Sequence, residues 1–452
     1  MEINHVNRAV IAIAEKHNIA IDDALKEMNN KSIWLVADET IINSYSKQLS
    51  FITTLNIAHR IFLNGVYCVL PSQVSNLLKF KVATLNDLVV QFSGICSEDE
   101  SLFEDIKILF GKECYDSQCI EIIACGWRGG VNFFGNERIF FSGDNSLALG
   151  PILASSIATY YAFCKIYKLR ETIDVNVGIS LWNLNAGSNW YHDEFDGPIN
   201  LNMPRTIWDL GLGHLGQAYI WTLASFKIEN SSKIQFLLQD SDVVDVENLG
   251  SQVLCQAKDI DKYKTRPCLQ FIEEMGFDAR IIEKRFELTD DEQDWMSNYP
   301  LLLNGVDNVK TRKSISNKFI KLYLDGATNG SSELFDSFTM NNVYSRNKTL
   351  DEIWTDVAAE NYILHRNLYD RYEKAEKCGS LSNIGISTPF VGLFSSTIIV
   401  SELLRSLNQG EKYSIISLQM RDLYGIEAVK DGFYNKELFR YALSSGQASP
   451  VS

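Results

Sequence analysis

"TIWDLGLGHLGQAY", residues 206–219, decides the fold. A five-residue apolar run is followed at once by Gly211, Gly213 and Gly216 in G-x-G-x-x-G spacing. A strand entering a helix through such a turn brings backbone N–H groups and the positive end of a helix dipole to one point, which suits a phosphate. Many dinucleotide folds use this turn, so the glycines alone leave open whether the phosphate belongs to a nicotinamide, a flavin or ATP.

Outward from the turn, residues 206–325 alternate short apolar runs with amphipathic stretches: "TIWDL", "IQFLLQ", "ARIIEK", "LLLNG" and "IKLYLDG", with helical patterns between them. This alternation predicts βαβ units and a mostly parallel, Rossmann-like sheet in an α/β protein. Ligands of such sheets bind at the carboxyl ends of the strands, where Asp240 and Asp307 succeed "IQFLLQ" and "LLLNG".

Residues 1–170 also read as α/β, with "SIWLVAD" and "GVYCVLP" as strands and no glycine turn. "GPILASSIATYYAFCKIY" (150–167) is laid out like "TPFVGLFSSTIIVSELLR" (388–405), each a Pro followed by a long run of small and apolar residues. Either an old duplication or two independent buried helices gives this pattern. The Asn, Gly, Asp and Pro cluster in 171–204 reads as a connector.

The 452 residues allow two or three domains. A composition of 46% apolar and 22% charged residues is that of a globular chain. The net charge of -15 argues against nucleic acid as a partner and favours a basic protein. Nine scattered cysteines with no C-x-x-C pair disfavour structural zinc and a disulfide framework. The N-terminus lacks a signal-peptide layout and the two most apolar stretches are interrupted by polar residues, so a cytoplasmic protein without a membrane span is expected.

Four segments downstream of the turn narrow the possibilities: "QDSDVVDVENLGSQVL" (239–254), "KDIDKYKTRP" (258–267), "NGVDNVKTR" (304–312) and "DGATNG" (325–330). In this order the segments resemble the ThiF/MoeB and ubiquitin-activating (E1-like) adenylyltransferases, whose pattern is glycine turn, D-x-D-x-V-x-x-x-N-L-x-x-Q, D-(I/V)-G-x-x-K, D-x-x-D-N, then G-A. The matched positions are Asp240, Asp242, Val244, Asn248, Leu249, Gln252, Lys264, Asp307 and Asn308, and the resemblance spans roughly 205–405. It implies an ATP-binding adenylation domain over 205–452, with a crossover segment at 338–387 and a closing helix at 388–406. Residues 1–170 would then be a degenerate, inactive copy.

The resemblance further implies that Asp240 holds the ribose, that Asn248 and Lys264 meet the phosphates, and that Asp307 holds Mg²⁺. Read without it, Asp307-Asn308 is a helix N-cap, Lys264 a solvated lysine and Asp240 a strand-end turn residue. One departure stands out: the family's N-L-x-R-Q arginine is here Ser251. Arg266 is a candidate substitute, and a pseudoenzyme is a live alternative. The family has a second arginine, often in an N-R pair, from the N-terminal segment of the partner half; Arg8 within "INHVNRAV" would be that residue supplied in cis, and read without the resemblance it is a surface arginine on a first helix. Arg312 reads as a helix-surface or packing residue.

Cys378 lies eleven residues before Pro389, where the family's carrier-accepting cysteine lies just upstream of the closing helix. A thiolate near a helix N-terminus is a better nucleophile, although a small buried cysteine is the ordinary alternative. The resulting expectation is ATP-dependent adenylation of the C-terminal glycine of a ubiquitin-like or sulfur-carrier protein, thioester transfer to Cys378, and a conjugating-type enzyme as a further partner. Adenylation of a peptide or small carboxylate without a thioester, and a noncatalytic nucleotide-binding scaffold, are the other readings.

Overall fold

The structure is a computed structural model that describes residues 7–98, 106–228, 234–315, 318–345, 350–353, 386–431 and 436–443. Two sheets face each other across a layer of helices. The N-terminal sheet comprises β1 (Ile33–Ala37), β2 (Val66–Val69), β3 (Ile95–Cys96), β4 (Lys107–Phe110), β5 (Cys119–Cys125), β6 (Arg128–Phe133) and β7 (Val177–Ser180). Its order is β3-β2-β1-β4-β5-β6-β7.

A short strand, β8 (Met203–Pro204), precedes the second sheet. That sheet holds β9 (Thr206–Leu210), β10 (Gln235–Gln239), β11 (Asp278–Ile282), β12 (Leu301–Asn304), β13 (Leu322–Thr328), β14 (Ser337–Asn342), β15 (Tyr413–Gln419) and β16 (Asp422–Lys430). Its order is β11-β10-β9-β12-β13-β14-β15-β16, so the N-terminal strand order is repeated and one further strand added. In both sheets the first five strands pair in parallel and the later ones antiparallel.

The sheets are therefore mixed: a parallel part, as expected, extended by antiparallel strands that the sequence did not announce. The antiparallel strands are short or rich in polar residues, so they carry little apolar signal. Val177–Ser180 pairs with β6, so the stretch expected to be a connector supplies the edge strand of the N-terminal sheet. Similarly, 338–342, expected to open a crossover segment, lies in β14, whose Phe338 and Met340 are buried.

In each half the helix preceding the seventh strand, Leu149–Ile166 or Pro389–Leu407, packs on the helix that comes after the first strand, Tyr45–Ala58 or His214–Ala224. The two long helices also pack on each other, with Phe390 against the rings of Tyr160 and Phe163. One hydrophobic cluster runs through this layer and both halves. The Pro389–Leu407 helix is long and apolar enough to cross a membrane, yet every one of its residues is buried within the protein. Three of its hydroxyls are satisfied locally: Ser396, Thr397 and Ser401 donate to carbonyls three residues back. A helix buried on all sides needs no polar face, which is why both long helices lack a clear amphipathic stripe.

Candidate nucleotide site

At Gly211 and Gly216 close contacts leave no room for side chains. Gly211 has φ of 87°, and a Cβ there would stand 2.8 Å from the Val306 nitrogen. A Cβ on Gly216 would collide with the Gly211 carbonyl oxygen. The third glycine thus lets the His214–Ala224 helix lie tight against the end of β9. Gly213 faces open space within 4 Å, and the helix it begins has no side-chain cap, so its first amides remain available to an anion.

A cavity of about 280 Å³ lies over the carboxyl ends of β9, β10 and β12, with Gly211, Gly213, Asp240, Asp242 and Val306 among its walls. Asp240 Oδ2 accepts from Leu212 N at 2.6 Å and Oδ1 from Asp242 N at 2.7 Å. Burial raises its pKa, and the Lys264 charge opposes that rise. Lys264 is brought back to the strand end by a short clasp: its N–H donates to the Asp242 carbonyl at 2.9 Å, and Val243 bridges Tyr263. Its Nζ then meets Asp242 Oδ2 at 3.0 Å. Lys264 stands behind Asp242, one contact from the cavity.

Asp307 is exposed and lies between the wall residues Val306 and Asn308. Asn308 Oδ1 accepts from the nitrogens of Lys310 and Thr311, so it caps the Val309–Ser314 helix. Arg312 is nine-tenths buried, donating to Val306 O at 2.7 Å and pairing with Asp325 at 3.3 Å. Of the two roles expected for it, packing is the one it fills.

The other matched residues shape the loop between β10 and the clasp. Asn248 Oδ1 accepts from Asp245 N at 2.9 Å, closing a capping box. Gln252 Oε1 accepts from Gln217 Nε2 at 2.8 Å, and that same nitrogen lies 3.1 Å from Leu212 O in the glycine turn. Gln252 therefore supports the turn through Gln217, a residue outside the sequence motif. Ser251 is buried. Arg266 is held by both oxygens of Glu283 on the exposed side of its helix, which removes it as a substitute for the missing arginine.

The N-terminal half reaches this loop directly. Arg8 pairs with Glu247 at 2.9 Å, and its charge helps hold the His214 pKa down. Burial is the larger cause of that drop, to about 4, and His214 Nε2 hydrogen-bonds Thr388 O at 2.7 Å. Arg60, fully buried at the end of the Tyr45–Ala58 helix, donates to the carbonyls of Leu249, Val253 and Cys255 at 2.6, 3.0 and 3.2 Å. No sequence motif marks Arg60. Its neighbour Asn56 adds a bond to Val253 O at 3.1 Å.

In the N-terminal half, residues 38–44 replace the glycine turn. Asp38 Oδ1 accepts from Thr40 N at 2.9 Å, and a Cβ on the facing Gly111 would run into that carboxylate. Cys125 is buried, its thiol pushed up to about 11 chiefly by burial. Cys378 lies outside the described residues.

Two domain families cover most of the chain. Residues 203–410 match the model of the BilD C-terminal domain and residues 32–181 that of the BilD N-terminal domain. The bacterial E1-like protein BilD of Collimonas sp. (strain OK412) is 26% identical over 425 residues, covering 89% of this chain and 88% of that protein. Among solved structures, E. coli MccB with MccA-N7isoASN covers 69% of this chain and 95% of its own, at 13% identity and a TM-score of 0.37. PaaA covers 50% and 64%, at 12% identity and a TM-score of 0.36. At those scores neither solved structure bears on function.

Proposed function

The chain belongs to the bacterial E1-like family described by those two domain models, and on that premise we propose that it activates the C-terminal carboxylate of a carrier protein with ATP. The carrier is of the ubiquitin-like or sulfur-carrier kind, ending in glycine. One observation supports the reading: the uncapped helix behind the glycine turn meets Asp240 and Asp242 at one cavity, with Lys264 held behind Asp242.

In the proposed reaction a carboxylate oxygen of the carrier attacks the α-phosphorus of ATP and pyrophosphate leaves, forming an acyl-adenylate. Two anions must approach, so positive charge and aimed N–H groups lower the barrier. The Gly213–His214 amides face the phosphates, Asp240 takes the ribose hydroxyls, and Lys264 turns from Asp242 to the triphosphate. Arg8 supplies charge from the N-terminal half as the family's second arginine, while the position of Ser251 stays without one. The exposed carboxylates of Asp307 and Asp242 are hard oxygen donors of the type Mg²⁺ prefers, and a bound Mg²⁺ would neutralise phosphate charge. In a second step the Cys378 thiolate attacks the acyl carbon and AMP leaves, giving a thioester.

The N-terminal half is read as a copy that no longer binds nucleotide. The repeated strand order supports a duplication, and the Asp38 carboxylate, set where the second half opens its turn, repels a triphosphate.

The test is pyrophosphate exchange by the full chain with ATP, Mg²⁺ and carriers ending in glycine, followed by a search for a reducible covalent adduct. Carrier-dependent exchange with an adduct that Cys378→Ala abolishes supports the whole reading. Exchange without an adduct leaves adenylation standing and removes the thioester. No exchange with any carboxylate, together with failure to bind ATP, overturns it.

A further inference from the structure

A second cavity, of about 730 Å³, opens at the foot of the N-terminal sheet, where β1, β4 and β5 begin. It lies at the opposite end of the strands from the carboxyl edge where ligands of such sheets bind, and it shares no wall residue with the nucleotide cavity. Its walls carry five cations and two carboxylates, in a chain where Asp and Glu outnumber Lys and Arg by 57 to 42.

Two of those cations are engaged. Lys165 Nζ meets Asp174 Oδ2 at 2.8 Å, and Arg170 donates to Glu333 O at 2.6 Å and pairs with Asp336 at 3.5 Å. Lys16, Lys31 and Lys168 are exposed, and their ammonium groups make no hydrogen bond or ion pair among the described residues. Each stands at or just beyond a helix end: Val10–His17, Ile21–Asn29 and Leu149–Ile166. A helix C-terminus carries about half a negative charge, so three of them account for fewer than two of the five cations. Lys168 is also held at a cost. Its φ is 51°, in the left-handed region where glycine or asparagine ordinarily closes a helix, and Asn18 fills the equivalent place after Val10–His17 at the same φ.

Only Ile106 and Ile166 on these walls are apolar and none of the wall residues is aromatic, so a base or other flat ring finds no face to rest on. The volume is that of a small-molecule site, and lysine holds phosphate as a compact point charge. We infer that this cavity binds a compact polyphosphate, a ligand with several adjoining phosphoryl groups, whose oxygens Lys16, Lys31 and Lys168 hold from three sides. A linear inorganic chain and a phosphorylated polyol share that chemistry.

The test is calorimetric titration of the full chain with tripolyphosphate and with myo-inositol hexakisphosphate, with and without saturating ATP. Citrate and a poly-glutamate peptide serve as anions lacking phosphoryl groups. Wild type should bind at least one of the two phosphates whether or not ATP is present, and the tighter of the two identifies the linear or the polyol source. Lys16→Gln and Lys31→Gln should each weaken binding about two- to fivefold, and both together with Lys168→Asn at least about tenfold. Lys168→Asn alone should weaken binding while its ligand-free melting temperature holds or rises, because asparagine suits the left-handed position. A triple variant that binds as wild type does, a wild type that binds neither phosphate, or binding that ATP abolishes would overturn the inference. So would citrate or poly-glutamate binding as tightly as the phosphates; the peptide result would make this face a dock for an acidic protein segment instead. None of these outcomes bears on the activation reading, whose residues lie at the other cavity.

Discussion

Replacing Arg60 by methionine tests whether the first half of the chain builds the nucleotide loop of the second. The guanidinium is fully buried and bonds three carbonyls of the 249–255 loop, and burial lowers its pKa from 12.5 to about 10. A drop of that size corresponds to about 3 kcal/mol of desolvation that the charged side chain already bears in the folded state. Methionine removes that cost but leaves three buried acceptors short of a donor, the Leu249 and Cys255 carbonyls and Asn56 Oδ1, at about 1–3 kcal/mol each, while Val253 O keeps its bond from Asn56. The net loss is on the order of 3 kcal/mol, which for a chain of 452 residues lowers the melting temperature by roughly 3 °C. Because the loop carries Asn248 and Gln252, the KM for ATP in pyrophosphate exchange should rise about tenfold, the equivalent of one lost charge-assisted contact. Arg60→Lys, which keeps the charge and loses the planar fork, should fall between. Differential scanning calorimetry and exchange kinetics read the two effects separately. A variant melting within about 1 °C of wild type would show the bonds to be dispensable; a lower melting temperature with unchanged KM would show that the loop does not serve ATP.

Gly216→Ala should destabilise the chain by about 2 kcal/mol through its collision with the Gly211 carbonyl. Gly213→Ala, facing open space, should melt like wild type yet lose ATP-induced stabilisation; thermal shift with and without Mg·ATP distinguishes the pair. Lys264→Met should cost at most about 1 kcal/mol in urea denaturation, since its partner Asp242 is well exposed, but reduce exchange at least about 100-fold. His214 has a folded-state pKa of about 4, below the ordinary 6.5, so on acidification the unfolded chain takes up the proton first. Its stabilising contribution is full above pH 6.5 and is lost as pH falls toward 4. Between pH 6.5 and 5.5 wild type should therefore lose up to about 1 kcal/mol more than His214→Gln. Parallel stability curves for the two chains would contradict that assignment.

The elements flanking the glycine turn are legible in the sequence because each is specified locally. "TIWDL", "IQFLLQ" and "LLLNG" are short apolar runs bounded by turn residues, and they form β9, β10 and β12. The antiparallel strands are not legible in this way, because pairing rather than composition makes them strands. "VGIS" of β7 sits among Asn, Gly and Asp residues, and β14 alternates Phe338 and Met340 with Thr and Asn. Within the candidate site, Asp240 and Lys264 are marked by their spacing from the turn. Gln217 and Arg60, which support the turn and the loop, have the pattern of any helix residue, because nothing in a linear sequence tells which buried carbonyl or amide a polar side chain will meet.

The glycine turn, the acidic strand ends and the long buried helices are thus determined by the sequence itself, since backbone sterics and the period of apolar residues act within a few positions. What only the tertiary structure decided is that Arg60 reaches Leu249, 189 residues away, and that Asn7 lies against Gly250. Hydrogen bonds of that separation arise from how two sheets close on a shared helical layer, and no local pattern records which buried donor will meet which carbonyl.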